Sequence, residues 1–348
     1  MPKPQTSSRV ALLRYLALRL VLIIPTVLIL VTVVFFFMRV IGDPITAAQG
    51  GRLSPEALAE RKAEAGFDRP VWIQYWEYLS GVFRGDFGLA MTDHRAISEI
   101  VLTNGAGTLE LVFYAMIVAF AVGIPLGRLA ARHHDKAPDV SIRFFAVLVY
   151  AAPVFFVGLL LKLLFTAKLH VLPASGRAET GTILALSKGE VNTNFLLIDA
   201  IASGNGAYVV DVLRHAILPA VALGLLTAGV FIRLIRINLL ENLRADFVTA
   251  ARARGVAERK VVSKHAFRNA LIPVVTVMGM EIALMLGGAI LTENTFEWRG
   301  LGFALSHYLL ARDFVAVQGI VTAIAVVVAV ASFLIDIVNA LVDPRVRY

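Results

Sequence analysis

The chain contains no cysteine, which excludes a disulfide scaffold, an iron-sulfur site, zinc thiolate chemistry and a thiol nucleophile. Charge is scarce too. Only 17% of the 348 residues are Asp, Glu, Lys or Arg, against about a quarter in a water-soluble domain. A phosphate-cradling G-x-x-x-x-G-K-[ST] loop is also missing, so the chain is not expected to bind or hydrolyse ATP by itself. What the sequence has instead is apolar. Hydrophobic residues make up 58% of it and give a mean hydropathy of +0.76. They recur in runs of about 20 residues, the length that spans a bilayer. Two soluble domains of roughly 150 residues would fit the length, but such runs do not suit a soluble enzyme. The net charge is +8, and in so apolar a chain Lys and Arg are expected to anchor helix ends rather than bind nucleic acid.

Windows of about 19 residues mark six apolar segments, 15–38, 108–129, 144–165, 215–238, 270–291 and 315–342. They predict an all-α membrane protein with six transmembrane helices in a lipid bilayer. The fourth has the shortest apolar core and could begin as early as Val209, because Asp211, Arg214 and His215 read as interface residues. Pro219 within it is tolerated in a membrane helix. The first segment follows Lys3, Arg9 and Arg14, as a signal peptide would. Its apolar run of about 24 residues exceeds the apolar region of a signal peptide, about 7 to 15, so it is expected to remain as a helix.

Six spans put both termini on one side. Counting its loops together with the span ends Arg128, Arg233 and Arg236, that side carries eighteen Lys and Arg and the other thirteen, and most of the thirteen lie in two long loops that weigh little in the positive-inside rule. Residues 1–14 and 343–348 are therefore expected in the cytoplasm.

Segment 39–107 is expected outside. Within it, Ser54-Pro55-Glu56 followed by Gly66 predicts a short helix over Pro55 to Ala65, with an N-cap, an N1 proline, an acidic first turn and a terminating glycine. After Pro70, Trp72, Tyr75, Trp76, Leu79 and Phe83 share a helical stripe. That stripe fits a helix at the lipid headgroups and equally an aromatic face packed on other helices. The external loop 166–214 has no clear periodicity and reads as a connector or a docking surface.

The cytoplasmic loop 239–268 is basic and yet helix-forming. Asp246 can cap a helix running through Arg254, Gly255 suits the left-handed position that ends it, and a second helix can start near Ala257. Small residues at Ala250, Ala251 and Ala253 would let another protein approach the backbone, while Arg252 and Arg254 offer charge. A basic amphipathic helix lying on lipid is the alternative.

Thr249-Ala250-Ala251, three residues, Gly255, and then Asn269-Ala270-Leu271-Ile272-Pro273 resembles the EAA loop of ABC importer permeases, with Thr249 where the pattern usually has Glu. Four further segments are similar to signatures of the dipeptide and oligopeptide importer permeases. These are Gly42-Asp43-Pro44; Gly66-Phe67-Asp68-Arg69-Pro70 leading to Gln74-Tyr75 and Arg84-Gly85-Asp86-Phe87-Gly88; Glu293 to Gly302; and Asp343-Pro344-Arg345-Val346-Arg347. Arg299 stands where that family usually has Pro.

The resemblance implies type I ABC importer permease architecture in a bacterial inner membrane. It implies a second, related permease, two cytoplasmic ATPase subunits and an external peptide-binding protein as partners. ATP and Mg would be held by the ATPases, with no cofactor, metal or catalytic residue in this chain. The cargo would be a di- or oligopeptide, or else a nickel chelate, glutathione or another small solute. Coupling to the ATPases falls on Thr249, Ala250, Ala251, Arg252, Arg254 and Gly255, and transport would proceed by alternating access.

Ionisable residues inside spans cost about 2.5–3.5 kcal/mol at mid-helix on insertion scales. Glu281 lies near the middle of segment 270–291, where it is either a pathway residue facing a cavity or a structural carboxylate between helices. Gly287 and Gly288 follow on the same helix, and fit either the pathway or close helix packing. Lys162 is expected to snorkel, Asp336 and Asn339 to cap or pair with cytoplasmic basic residues, and Arg19 to sit in a similar way near the inner interface. His133 and His134 are adjacent and so do not face one another as metal ligands would.

Overall fold

The computed structural model describes residues 8–41, 45–46, 54–64 and 66–342. The readings of Gly42-Asp43-Pro44, of residues 1–7 and of the 343–348 tail lie outside the described residues. Those described are helical apart from turns and one isolated bridge, Leu89 to Ala96. Backbone groups in hydrocarbon must find partners within their own segment, and a helix supplies them.

Four helices are each long and apolar enough to cross a membrane: α1 (Ser8–Ile41), α4 (Ile97–Arg132), α9 (Gly206–Leu243) and α14 (Phe314–Val342). Two bent pairs bring the number to six if each counts as one span. One joins α5 (Ala137–Ala151) to α6 (Val154–Leu161) and its π-helical extension Lys162–Lys168, with a bend of 103°. The other joins α11 (Glu258–Ala270) to α12 (Ile272–Phe296), with a bend of 44°. Between α1 and α4 lie α2 (Pro55–Glu64) and α3 (Val71–Arg84). Two short helices, α7 (Thr180–Ser187) and α8 (Leu196–Ala202), fill the loop before α9. The remaining two are α10 (Asp246–Ala253) and α13 (Leu301–Leu310).

Contacts fix the direction of each pass. Ala115 of α4 faces Gly224 of α9, and Gly123 further along α4 faces Phe231 further along α9, so α4 and α9 run parallel. Small residues set their distance, since a Cβ on Gly224 would lie 2.5 Å from the Ala115 carbonyl oxygen and one on Gly123 2.8 Å from the Phe231 Cβ. Leu111, Ala115, Ala119, Phe231 and Ile235 fill this seam, with the Phe120 and Phe231 rings stacked 5.2 Å apart. Asp139 on α5 takes both Nε and Nη2 of Arg236 on α9, at 2.6 and 2.7 Å, and further along α5 the Ala146 carbonyl faces the earlier Gly229 of α9, so α5 runs antiparallel to α9. Arg19 pairs with Asp336 at 3.4 Å and Arg39 donates to Gln318 at 2.7 Å, so α1 runs antiparallel to α14. Most of α1 otherwise presents Leu18, Val21, Ile24, Ile29 and Val33 outward.

The third segment differs from the continuous span expected over 144–165. Pro153 has no N–H and forces its predecessor out of the helical region; Ala152 sits at φ −73°, ψ 131° and Pro153 at φ −59°, ψ 129°. Two extended residues in a row turn the chain. Other segments run longer than hydropathy suggested, because polar residues continue the helices of spans two, four and five beyond their apolar cores. Of the aromatic stripe on α3, Tyr75 and Leu79 pack inward and Tyr75 meets Thr32 at 2.7 Å, while Trp72, Trp76 and Phe83 stay exposed.

Candidate functional site

The predicted coupling loop is a helix, a glycine turn and a helix. α10 begins with Asp246 itself, so the expected cap becomes a first-turn carboxylate. The residue before it, Ala245, offers no side-chain acceptor, and an acid in this position complements the helix dipole. At the other end the Gly255 N–H donates to the Arg252 carbonyl at 2.9 Å and the Val256 N–H to the Ala251 carbonyl at 3.2 Å. That is a Schellman closure, which needs the left-handed φ of +74° found at Gly255. Ala257 is extended and α11 starts directly after it.

One face of α10 is seated. Val248 and Ala251 are buried with Val261, Ala266 and Ala270 of α11, Leu239 of α9 and Ala131 of α4. The opposite face carries Phe247, Thr249, Ala250, Arg252 and Arg254, all exposed. Ala251 is therefore part of the seat and not of the accessible surface, contrary to the sequence reading; Ala250 and Ala253 keep the open approach. Arg252 is not a free charge. Its Nε and Nη2 bind Glu258 Oε2 and Oε1 at 3.0 and 2.7 Å across the turn. The guanidinium holds the Glu258 carboxyl below its usual range. Arg254, by contrast, forms no ion pair among the described residues.

Glu281 on α12 accepts a hydrogen bond from Thr227 of α9 at 3.3 Å and lines a cavity of about 480 Å³ with Tyr150, Arg143, Arg233 and Arg236. The carboxylate thus has both a helix-to-helix contact and an open side. Gly287 is exposed, with no atom within 4 Å of where its Cβ would be. Close packing on this helix occurs instead at Gly279, whose Cβ would lie 2.0 Å from Ile335 Cγ2 of α14. Gly288 continues the same helix. Lys162 donates to the Thr295 carbonyl at 2.9 Å, joining the π-helical segment to α12. No group of residues among those described could hold a metal ion.

A buried polar network at the opposite end of the bundle was not anticipated. Arg177 Nη2 donates to Glu110 Oε2 at 2.5 Å and to the Asn194 carbonyl at 2.9 Å. Glu110 Oε1 accepts from the Leu197 N–H at 2.8 Å. Thr108 donates to Glu293 at 2.7 Å, the Phe303 N–H donates to the same carboxylate at 2.9 Å, and the indole of Trp298 reaches the Gly107 carbonyl at 2.8 Å. The loop 166–214 is thereby tied to α4 and to the turn after α12, so it is a folded cap. The rule that singled out Glu281 applies equally to Glu110, which lies within segment 108–129.

Residues 123–348 match the family described as binding-protein-dependent transport system inner membrane component, and residues 12–98 match its N-terminal companion. The dipeptide transport system permease protein of Escherichia coli K12 is 38% identical over 97% of this chain and 99% of its own length. The di/tripeptide transport system permease protein of Pseudomonas aeruginosa UCBPP-PA14 is 36% identical over 97% of this chain and 99% of its own. The glutathione transport system permease protein of Salmonella choleraesuis is 32% identical over 97% and 100%. A multi-pass inner-membrane transport subunit rather than an enzyme, the chain belongs to the dipeptide and oligopeptide group of ABC importer permeases.

Proposed function

We propose that this chain is one of two related permeases that import di- or oligopeptides by alternating access, driven by two cytoplasmic ATPases that bind ATP and Mg and fed by an external peptide-binding protein. Both termini lie in the cytoplasm in this reading. The names borne by its relatives support the cargo class. The observation that carries the mechanism is mechanical: α10 offers an open face and is fixed by its buried face and by Arg252 to α11, which leads through a 44° bend into α12. α12 carries Glu281. A push on Thr249, Ala250 or Arg254 from an ATPase would therefore tilt the helix that lines the membrane cavity, and a rigid-body tilt of this kind suits alternation between two accesses.

Within the cavity, Glu281 would attract the amino end of a peptide, with the open side of α12 at Gly287 forming a wall of the pathway and Gly288 the next residue along it.

The test is extraction in mild detergent followed by mass spectrometry of what stays bound, paired with uptake of labelled dipeptide by cells holding the whole assembly. Two ATPases and a second permease are expected, weakened by Gly255→Pro. Recovery of the chain alone under conditions that preserve a known importer would overturn the coupling assignment. Uptake of glutathione in place of dipeptide would move the cargo class and keep the mechanism.

A further inference from the structure

The cap at the end opposite the coupling loop encloses a cavity of about 780 Å³, within the span of about 300–1,000 Å³ common to small-molecule sites. Its lining mixes apolar side chains such as Ile183, Leu186 and Phe303 with polar and charged ones. Arg177, 7% exposed, forms part of the wall and is locked to Glu110, and its Nε has no hydrogen-bond partner. Amide groups of Asn104, Asn192 and Asn194 add donors and acceptors.

Around this wall stand charges of both signs that do not neutralise one another. Arg299, Glu179 and Glu297 all line the cavity, all are exposed, and among the described residues none forms an ion pair. Other charged residues of the wall are already engaged: Arg95 with Glu99 at 2.9 Å, and Asp199 with the Thr193 hydroxyl at 2.7 Å. Unpaired opposite charges and amides lining one cavity suit a molecule with a carboxylate at one end, an ammonium at the other and peptide units between, since charge-assisted hydrogen bonds are the strong ones.

We propose that this cavity binds a short zwitterionic peptide, its carboxylate on Arg299 and its amino group on Glu179 and Glu297. The site is distinct from the Glu281 cavity, and the proposal rests on the peptide-import reading above.

Equilibrium dialysis of radiolabelled dialanine against the full-length chain in lipid nanodiscs tests it, alongside uptake of the same dipeptide by cells holding the whole assembly. Saturable binding is expected, weakened about tenfold by Arg299→Gln and restored by Arg299→Lys. N-acetylated dialanine should bind about tenfold more weakly than dialanine, a difference that Glu179→Gln with Glu297→Gln removes. Arg299 is exposed, so its variants should keep the wild-type melting midpoint. No saturable binding, or binding that Arg299→Gln leaves unchanged, would overturn the site. Uptake without such binding would sink the site and leave the import reading standing. Binding lost in Arg299→Gln, in an assembly that takes up no dipeptide, would sustain the site and remove the import reading.

Discussion

Arg252 closes on Glu258 at two points, 3.0 and 2.7 Å, across the turn made by Gly255. The pair fastens the exposed helix to the one that leads into the membrane. Arg252's hydrogen bond depresses the Glu258 carboxyl from its ordinary 4.5. A carboxylate with a depressed folded value contributes stability above the ordinary one, and loses it as pH falls through the folded one. The melting difference between wild type and Glu258→Gln should therefore be constant from neutral pH down to about 4.5, shrink as pH falls further, and vanish only below the depressed folded value. Both groups are exposed, so high salt should shrink the difference at neutral pH. A difference that grows on acidification would show that the pair is not the cause.

Gly255 should tolerate less than its open surroundings suggest. No atom lies within 4 Å of a Cβ built there, so the cost of substitution is conformational. An L-residue at φ +74° loses about 1–2 kcal/mol. Gly255→Ala should slow dipeptide uptake modestly. Gly255→Pro cannot reach that φ and removes the N–H that bonds Arg252, so uptake should cease while the chain still reaches the membrane. Uptake at the wild-type rate in the proline variant would remove the turn from the coupling path.

These residues also show how far the sequence could be read. The glycine turn was legible because few residues other than glycine accept a left-handed φ, and the spans because bilayer thickness fixes a run length. The inward direction of Ala251 was not, since Val248 and Ala251 acquire a buried face only from α9, α4 and α11 folding around them. The break at Ala152–Pro153 carried a local signal, the proline, but membrane helices often absorb a proline, as α9 does at Pro219 and α4 at Pro125. Arg177 lies 67 residues from Glu110 in a loop without periodicity, and only the folded cap brings them together. Gly279 against Ile335 is likewise a product of helix pairing, with nothing in α12 alone to prefer Gly279 over Gly287.

The Glu110 and Arg177 pair should be far more sensitive to losing one member than both. Their side chains are 3% and 8% exposed, so Arg177→Ala leaves a buried carboxylate without its countercharge, at about 3–5 kcal/mol. An apolar replacement of both, Glu110→Leu with Arg177→Met, leaves no orphaned charge. Unfolding midpoints in mild detergent should fall steeply for the single variant and much less for the double one. Equal losses in the two would mean that the Asn194 and Leu197 backbone contacts, not the charge pair, hold the cap down.

The seam between α12 and α14 makes the last prediction, because it joins the helix that carries Glu281 to the last long helix of the bundle. Adding a methyl at Gly279 places a Cβ 2.0 Å from Ile335 Cγ2, a clash that only helix separation or a shift of Ile335 can relieve. Overpacking of this kind costs about 1–3 kcal/mol. Gly279→Ala should lower the melting midpoint and Ile335→Ala should lower it by a separate route, through lost apolar contact. Combined, each substitution removes what made the other harmful, since the new methyl fills space vacated by the isoleucine. The double variant should thus be more stable than the sum of the two losses predicts, with a coupling of about 0.5–3 kcal/mol. Strict additivity would mean that the two helices do not meet at these residues.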